Sequence, residues 1–185
     1  TEGLRGLMVW TGLQVDIANL EIDKFKKQKA EDWVALMTPI LKSFSTDVGC
    51  EAANLAVQIY GGHGYISDHG IEQLVRDARI APIYEGTNGI QALDLVGRKI
   101  PMHTGRLLKS FFHEVKDYLE KNSFNYNLKE YIPHLTKSFG RLQQVTTFLA
   151  SKGLSNPDEA AGASVDYLKM FSLVAIGYIW TRYAE

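Results

Sequence analysis

Residues 58–99 read QIYGGHGYISDHGIEQLVRDARIAPIYEGTNGIQALDLVGRK and punctuate the chain as helix, glycine stop, helix, turn and helix. Gly61, Gly62 and Gly64 end the first of these helices. A short helix follows Ser67-Asp68, with Ile71, Leu74, Val75 and Ala78 on one face. The turn Tyr84-Glu85-Gly86-Thr87 leads into a helix that begins at Thr87 or Asn88 and runs to about Lys99. Gln91 stands as in a capping box from Asn88, and Pro101 stops the helix. Glu85 therefore sits just ahead of a helix N-terminus, with Gly86 removing side-chain bulk beside it. A carboxylate in that position can be exposed to a ligand and held still, as a general base requires. By position alone, an acid there more often serves the helix dipole.

The helical pattern continues on both sides. Leu41, Phe44, Val48, Ala52, Leu55 and Ile59 recur at threes and fours and predict a helix that ends at the glycines. Thr38-Pro39 is either its cap and first position or a kink in a longer helix that starts near Asp32. Glu21–Glu31 is polar and lysine-rich and reads as an exposed connector. Before it, Leu4, Leu7, Met8, Leu13, Val15 and Ile17 give a first amphipathic helix, weakened by two early glycines. Three helices are predicted beyond Pro101: His103–Lys121, Leu128–Lys152, and a last one from the cap Asn156-Pro157-Asp158-Glu159 to about Tyr183. Their aromatic residues read as core and not as a ligand box. No strand alternation, repeat or low-complexity tract interrupts this, so the expected fold is an all-α helical bundle followed by a second small helical domain.

Composition excludes several function classes. The 185 residues carry a net charge of -1, 45% hydrophobic and 22% charged residues, which suits a globular core. Apart from Lys24–Lys29 there is no basic cluster, so bulk electrostatic binding of nucleic acid is excluded. Cys50 is the only cysteine, which excludes a disulfide framework and a thiolate metal site, and it reads as inert core. The five histidines show no metal-ligand spacing. Met170–Trp180 is the most apolar segment and is too short to span a bilayer. The start TEGLRGLMVW lacks the features of a signal peptide. A cytoplasmic, reducing location is expected. Because Thr1–Asp16 already reads as the middle of a helical region without an initiating Met, the sequence is expected to be a piece of a longer chain.

Ile83-Tyr84-Glu85-Gly86-Thr87 matches letter for letter the IYEGT motif of the acyl-CoA dehydrogenases, and Arg76-Asp77-Ala78 matches the family's RDA triplet. From the glycine pair to the helix after Glu85 the resemblance is close and ungapped. It implies an FAD-dependent enzyme that oxidises acyl-CoA to trans-2-enoyl-CoA, in β-oxidation chemistry, and passes electrons to an electron-transfer flavoprotein. Glu85 would remove the α-proton through its carboxylate and bind the thioester carbonyl through its backbone N–H. Gln58, Ile59, Tyr60, Gly61 and Gly62 fall on the segment that touches the flavin of a neighbouring subunit. Thr87, Asn88 and Gly89 fall on the segment that touches the flavin of the same active site, Gly89 through its backbone. A homodimer or homotetramer is implied.

Residues 1–100 resemble part of the family's C-terminal four-helix-bundle domain. Residues 101–185 resemble the additional helical domain of a longer subgroup that includes 3-methylmercaptopropionyl-CoA dehydrogenase. The domains that supply most of the flavin and acyl pocket are not in this sequence, so the isolated segment is expected to be colourless and inactive. Two rival readings stand beside this one: a non-catalytic helical oligomerisation module, and an acyl-CoA oxidase that reduces oxygen. Arg76 and Asp77 are expected to form an ion pair that fixes helix to loop. His63 and His69 read as solvated loop histidines.

Overall fold

The computed structural model describes all 185 residues and contains nine α-helices and no strand. The all-α bundle expected from three-four spacing is therefore the observed architecture. Helix α1 (Glu2–Leu20) and α2 (Lys24–Tyr60) form a hairpin through Glu21–Asp23. Asp23 caps α2 by accepting the N–H of Phe25 at 2.9 Å and of Lys26 at 3.0 Å. This cap starts the helix within the lysine-rich stretch, which is helical and not the connector expected. The 37-residue α2 also runs unbroken through the buried Pro39. Neither expected start, at Thr38-Pro39 or near Asp32, is its beginning.

The glycines of α1 serve packing. A Cβ on Gly3 would stand 2.2 Å from Trp180 Nε1, and one on Gly6 would stand 2.2 Å from Tyr183 Oη. Their absence lets α1 lie directly on α9 (Ser164–Tyr183). The buried face of α1 is thus Gly3, Gly6, Leu7 and Thr11. Met8, Leu13 and Val15, expected to point inward, are exposed.

Three further helices complete this part. Helix α6 (Met102–Lys121) begins with three left-handed residues, His103, Thr104 and Gly105, so its regular portion starts at Arg106. Helix α7 (Ile132–Ser155) starts after the Leu128 expected, because Leu128 closes a separate one-turn 3-10 segment, Tyr126–Leu128. The Asn156 cap holds as expected, accepting the Asp158 N–H at 3.2 Å. It opens only the short α8 (Pro157–Gly162), which breaks at Ala163 before α9.

The core joins α1 and the first half of α2 to α6, α7 and α9. Phe111 and Phe171 stack with centroids 4.9 Å apart, and Trp33 packs 5.7 Å from Phe111. The aromatic residues of the last helices are thus mainly core, although Phe148, Trp180 and Tyr183, with Tyr131 just before α7, remain exposed. Trp33 Nε1 donates to Thr11 Oγ1 at 3.1 Å and the hydroxyls of Thr146 and Tyr167 meet at 2.7 Å, whereas the buried Trp10 Nε1 and Tyr118 Oη have no hydrogen-bond partner in the chain. Asp32, only 4% exposed, is gripped by Arg106 through two bonds of 2.8 and 3.0 Å.

Beyond this core α2 runs out as a lever. Helix α3 (Gly62–Tyr65), α4 (Ile71–Arg79) and α5 (Asn88–Asp94) are grouped along its second half. A π-helical turn, Leu95–Lys99, continues α5 and returns the chain to the core at Leu95. The α2 stripe expected to be inward is only half-buried at Leu41, Phe44 and Val48, and it becomes exposed at Leu55 and Ile59.

Candidate active site

The Glu85 turn is built in two steps. The Ile80 carbonyl accepts the N–H of Ile83 at 3.0 Å and of Tyr84 at 3.1 Å, which ends α4 in a tight coil. Glu85 then adopts φ 56° and Gly86 φ 79°, both left-handed. A non-glycine residue there costs roughly 1–2 kcal/mol, so the conformation persists only because its surroundings impose it. Gly86 suits the position twice over: its φ favours glycine, and a Cβ would stand 3.0 Å from Gln91 Nε2. That same Gln91 Nε2 donates to the Glu85 carbonyl at 3.0 Å. The Asn88 N–H closes the loop on the Pro82 carbonyl at 3.1 Å.

The turn is pinned to α2 by polar groups. Lys42 Nζ donates to the Gly86 carbonyl at 2.7 Å and to Asn88 Oδ1 at 2.8 Å. Asn88 Nδ2 lies within donating distance of the Ser43 carbonyl at 3.1 Å, Thr46 Oγ1 at 2.9 Å and Asp47 Oδ1 at 2.7 Å. Asn88 is therefore a tertiary bridge and not the cap of α5. Thr87 is the cap, its Oγ1 accepting the Ile90 N–H at 3.4 Å. Gln91 does not complete a capping box either, since its amide is committed to Glu85.

These arrangements leave Glu85 free. Its carboxylate is exposed, makes no hydrogen bond within the chain and has no ion-pair partner within 4.0 Å. Capping is done by Thr87, so the start of α5 does not use the acid. The backbone N–H groups of Glu85, Gly86 and Thr87 likewise have no acceptor in the chain. An exposed carboxylate stands next to three unspent donors, which is a layout able to take a proton and bind a carbonyl oxygen.

The second set of residues lies elsewhere. Gln58, Ile59 and Tyr60 are the last residues of α2 and are all exposed. Gly61 ends the helix with φ 58° and ψ -138°, and a Cβ on Gly61 or Gly62 would meet nothing within 4 Å. The same openness holds at Gly89, on the first turn of α5. At the helical rise of about 1.5 Å per residue, Gln58 is about 16 Å along α2 from Asp47, which touches Asn88. Glu85, Thr87, Asn88 and Gly89 thus form one cluster, and Gln58–Gly62 forms another.

Other candidates resolve simply. Arg76 makes no ion pair, contrary to expectation, and Asp77 is held within α4 by Gln73 Nε2 at 2.7 Å. His63 and His69 are exposed and touch each other, Nδ1 to Nε2, at 3.2 Å. Cys50 is half-buried and donates to the Ala78 carbonyl at 3.2 Å. No group of three potential metal ligands exists, and no helix is long and apolar enough to cross a membrane. Two surface cavities of about 370 and 210 Å³ lie between α7 and α9 and touch none of these residues. Lys42 is the residue of this site that apolar spacing does not single out. Its signal was the polar stripe Lys42, Ser43, Thr46 and Asp47, which shares one side of a helix judged by its apolar residues.

Residues 18–100 match the acyl-CoA dehydrogenase C-terminal domain, and residues 111–185 match the acetyl-CoA dehydrogenase C-terminal-like domain. The 3-methylmercaptopropionyl-CoA dehydrogenase of Ruegeria pomeroyi is 43% identical over 111 residues, 60% of this chain and 19% of that protein. The broad-specificity linear acyl-CoA dehydrogenase FadE5 of Mycobacterium tuberculosis is 29% identical over 99% of this chain and 31% of its own length. The chain thus spans between about a fifth and a third of these relatives. In fold it resembles Caenorhabditis elegans ACDH-11, solved in complex with C11-CoA, with a TM-score of 0.77, 19% identity, and 97% of this chain and 30% of that one covered. With the two matched regions spanning most of the sequence and the IYEGT turn lying inside the first of them, this chain belongs to the acyl-CoA dehydrogenase family.

Proposed function

We propose that the protein containing this chain oxidises an acyl-CoA to the trans-2-enoyl-CoA, and that Glu85 is its general base. The observation that supports this most is the free carboxylate of Glu85, held in a left-handed turn and committed to nothing in the chain. The α-proton of a thioester is weakly acidic. A base beside it and a donor on its carbonyl oxygen are both needed as charge moves onto that oxygen. Glu85 offers both: a carboxylate oxygen takes the proton, and the N–H of the same residue binds the carbonyl. Because one residue carries the two groups, the turn fixes their mutual geometry.

FAD, when bound, would supply the acceptor for the β-hydride. The residues present fit such a group. Gly61, Gly62 and Gly89 offer bare backbone with open space where a Cβ would be, and the N–H groups of Gly86 and Thr87 are unspent. Thr87, Asn88 and Gly89 would face the flavin of the active site that Glu85 serves. Gln58, Ile59, Tyr60, Gly61 and Gly62 would face that of a neighbouring subunit in a homodimer or homotetramer. The roughly 16 Å between the two sets along α2 supports that division.

In this reading residues 1–100 form part of the catalytic C-terminal domain and 101–185 an additional helical domain. An electron-transfer flavoprotein reoxidises the flavin, and the enzyme works in the cytoplasm. The test is Glu85→Gln in the full-length enzyme, which keeps size and hydrogen bonding but removes the basic carboxylate. Under anaerobic stopped flow, acyl-CoA should bleach the variant's flavin on the order of a hundredfold to ten-thousandfold more slowly, with the flavin still bound. Bleaching at the wild-type rate would leave Glu85 a turn residue without catalytic duty.

A further inference from the structure

We propose that Lys42 is a positioning residue for the Glu85 turn. This rests on the reading of Glu85 as base. Lys42 sits half-buried on α2, and its ammonium spends its bonds on two neutral oxygens of the turn, the Gly86 carbonyl at 2.7 Å and Asn88 Oδ1 at 2.8 Å. It makes no ion pair with any carboxylate. A lysine used this way holds geometry, since bonds from a charged donor are the stronger kind.

The clamp has an internal logic. The amide of Asn88 lies between a cation on its oxygen, Lys42, and a carboxylate on its nitrogen, Asp47 Oδ1 at 2.7 Å. Only one orientation of the amide satisfies both neighbours. Asn88 is therefore locked, and with it the start of α5. Lys42 also takes the Gly86 carbonyl, which orients the peptide plane that follows the two left-handed residues. From the other side Gln91 takes the Glu85 carbonyl at 3.0 Å. Two successive carbonyls are each drawn to a fixed donor, leaving the adjacent N–H groups pointing away and unspent. Without Lys42, the Gly86 carbonyl loses its donor and Asn88 Oδ1 keeps only the longer bond from Thr46 Oγ1 at 3.2 Å, and mobile water takes the place of the fixed ammonium because the turn is not buried. The turn can then relax from its strained conformation, taking the Glu85 carboxylate with it. Lys42 touches no reacting atom in this account.

The experiment compares Lys42→Met, Lys42→Arg and Glu85→Gln in the full-length enzyme. At saturating acyl-CoA, K42M should slow anaerobic flavin reduction by about ten- to a hundredfold, the scale of an ångström-level misplacement. Its flavin content and acyl-CoA dissociation constant should stay near wild type, and K42R should recover most of the rate. Independently of activity, K42M in the 185-residue chain should move the amide resonances of Glu85, Gly86 and Thr87, leave the helical circular dichroism unchanged, and be reversed by K42R. Slow E85Q with wild-type K42M overturns the positioning role and leaves the base assignment standing. Wild-type E85Q overturns both. A K42M chain that loses its helical signal overturns the proposal by making Lys42 part of the scaffold.

Discussion

The stretch from Leu41 to Gln91 and the segment from Pro101 to Glu185 are both helical, yet they are held by different forces. In the first, only Ser43 and Gly64 are buried, and Leu55, Ile59, Tyr60, Tyr65, Ile83 and Tyr84 are exposed. Its order comes from polar pins: Lys42 and Asn88 for the turn, and Gln91 for Glu85. In the second, Phe111, Leu142, Tyr167, Phe171 and Ala175 are enclosed, and the helices bury their own apolar faces together with α1 and the first half of α2. The difference shows that the region carrying the candidate chemistry is not stabilised by a core of its own. It presents an apolar and glycine-rich surface.

That contrast can be broken by substitution. Phe171→Ala removes a fully enclosed ring packed on Phe111 and should cost about 3–5 kcal/mol in urea unfolding of the 185-residue chain. Ile59→Ala, at a residue 82% exposed, should change it by less than about 0.5 kcal/mol. Comparable losses at the two positions would mean that the second half of α2 is packed after all.

A pH titration sharpens the same contrast with a smaller effect. Burial, with the Glu185 carboxylate adding to it, pushes the Tyr118 phenol up to about 12. Burial likewise pushes Tyr167 up, against the Thr146 hydroxyl, and Tyr178 up, reinforced by the Glu114 carboxylate and opposed by Arg182. All three phenols lie in the 101–185 segment. A raised phenol keeps its proton in the folded state when the unfolded chain has lost it. Stability from these groups is therefore complete below about pH 10 and falls as pH rises through 10 to 12. Tyr178→Phe should make this decline shallower in chemical unfolding across that range. An unchanged slope would show that the phenol does not sense the core.

The sequence made the helical class plain, because three-four apolar spacing runs through most of the chain. It also exposed the Glu85 turn, where one glycine and one acid interrupt that spacing. What stayed hidden depended on distant partners. Gly3 and Gly6 look like weak helix formers until Trp180 and Tyr183 are laid against them. Asn88 and Thr87 are both acceptable caps, and the choice is made by α2, which draws the Asn88 amide away. Lys42 lies 44 residues from the carbonyl it holds, and no local pattern announces that bond. The Asp23 cap was legible in principle, but the missing apolar stripe in Lys24–Glu31 hid the helix it starts.

The central claim is that the free carboxylate of Glu85 removes the α-proton. It is tested most directly with an acyl-CoA analogue that has α-protons but no β-hydrogen to transfer, incubated in heavy water with full-length wild type and Glu85→Gln. Exchange of the α-protons, followed by nuclear magnetic resonance, reports proton removal alone. The account predicts exchange by the wild type and a rate at least about a hundredfold lower in the variant. Equal exchange rates in the two proteins would contradict it and move the base to another residue.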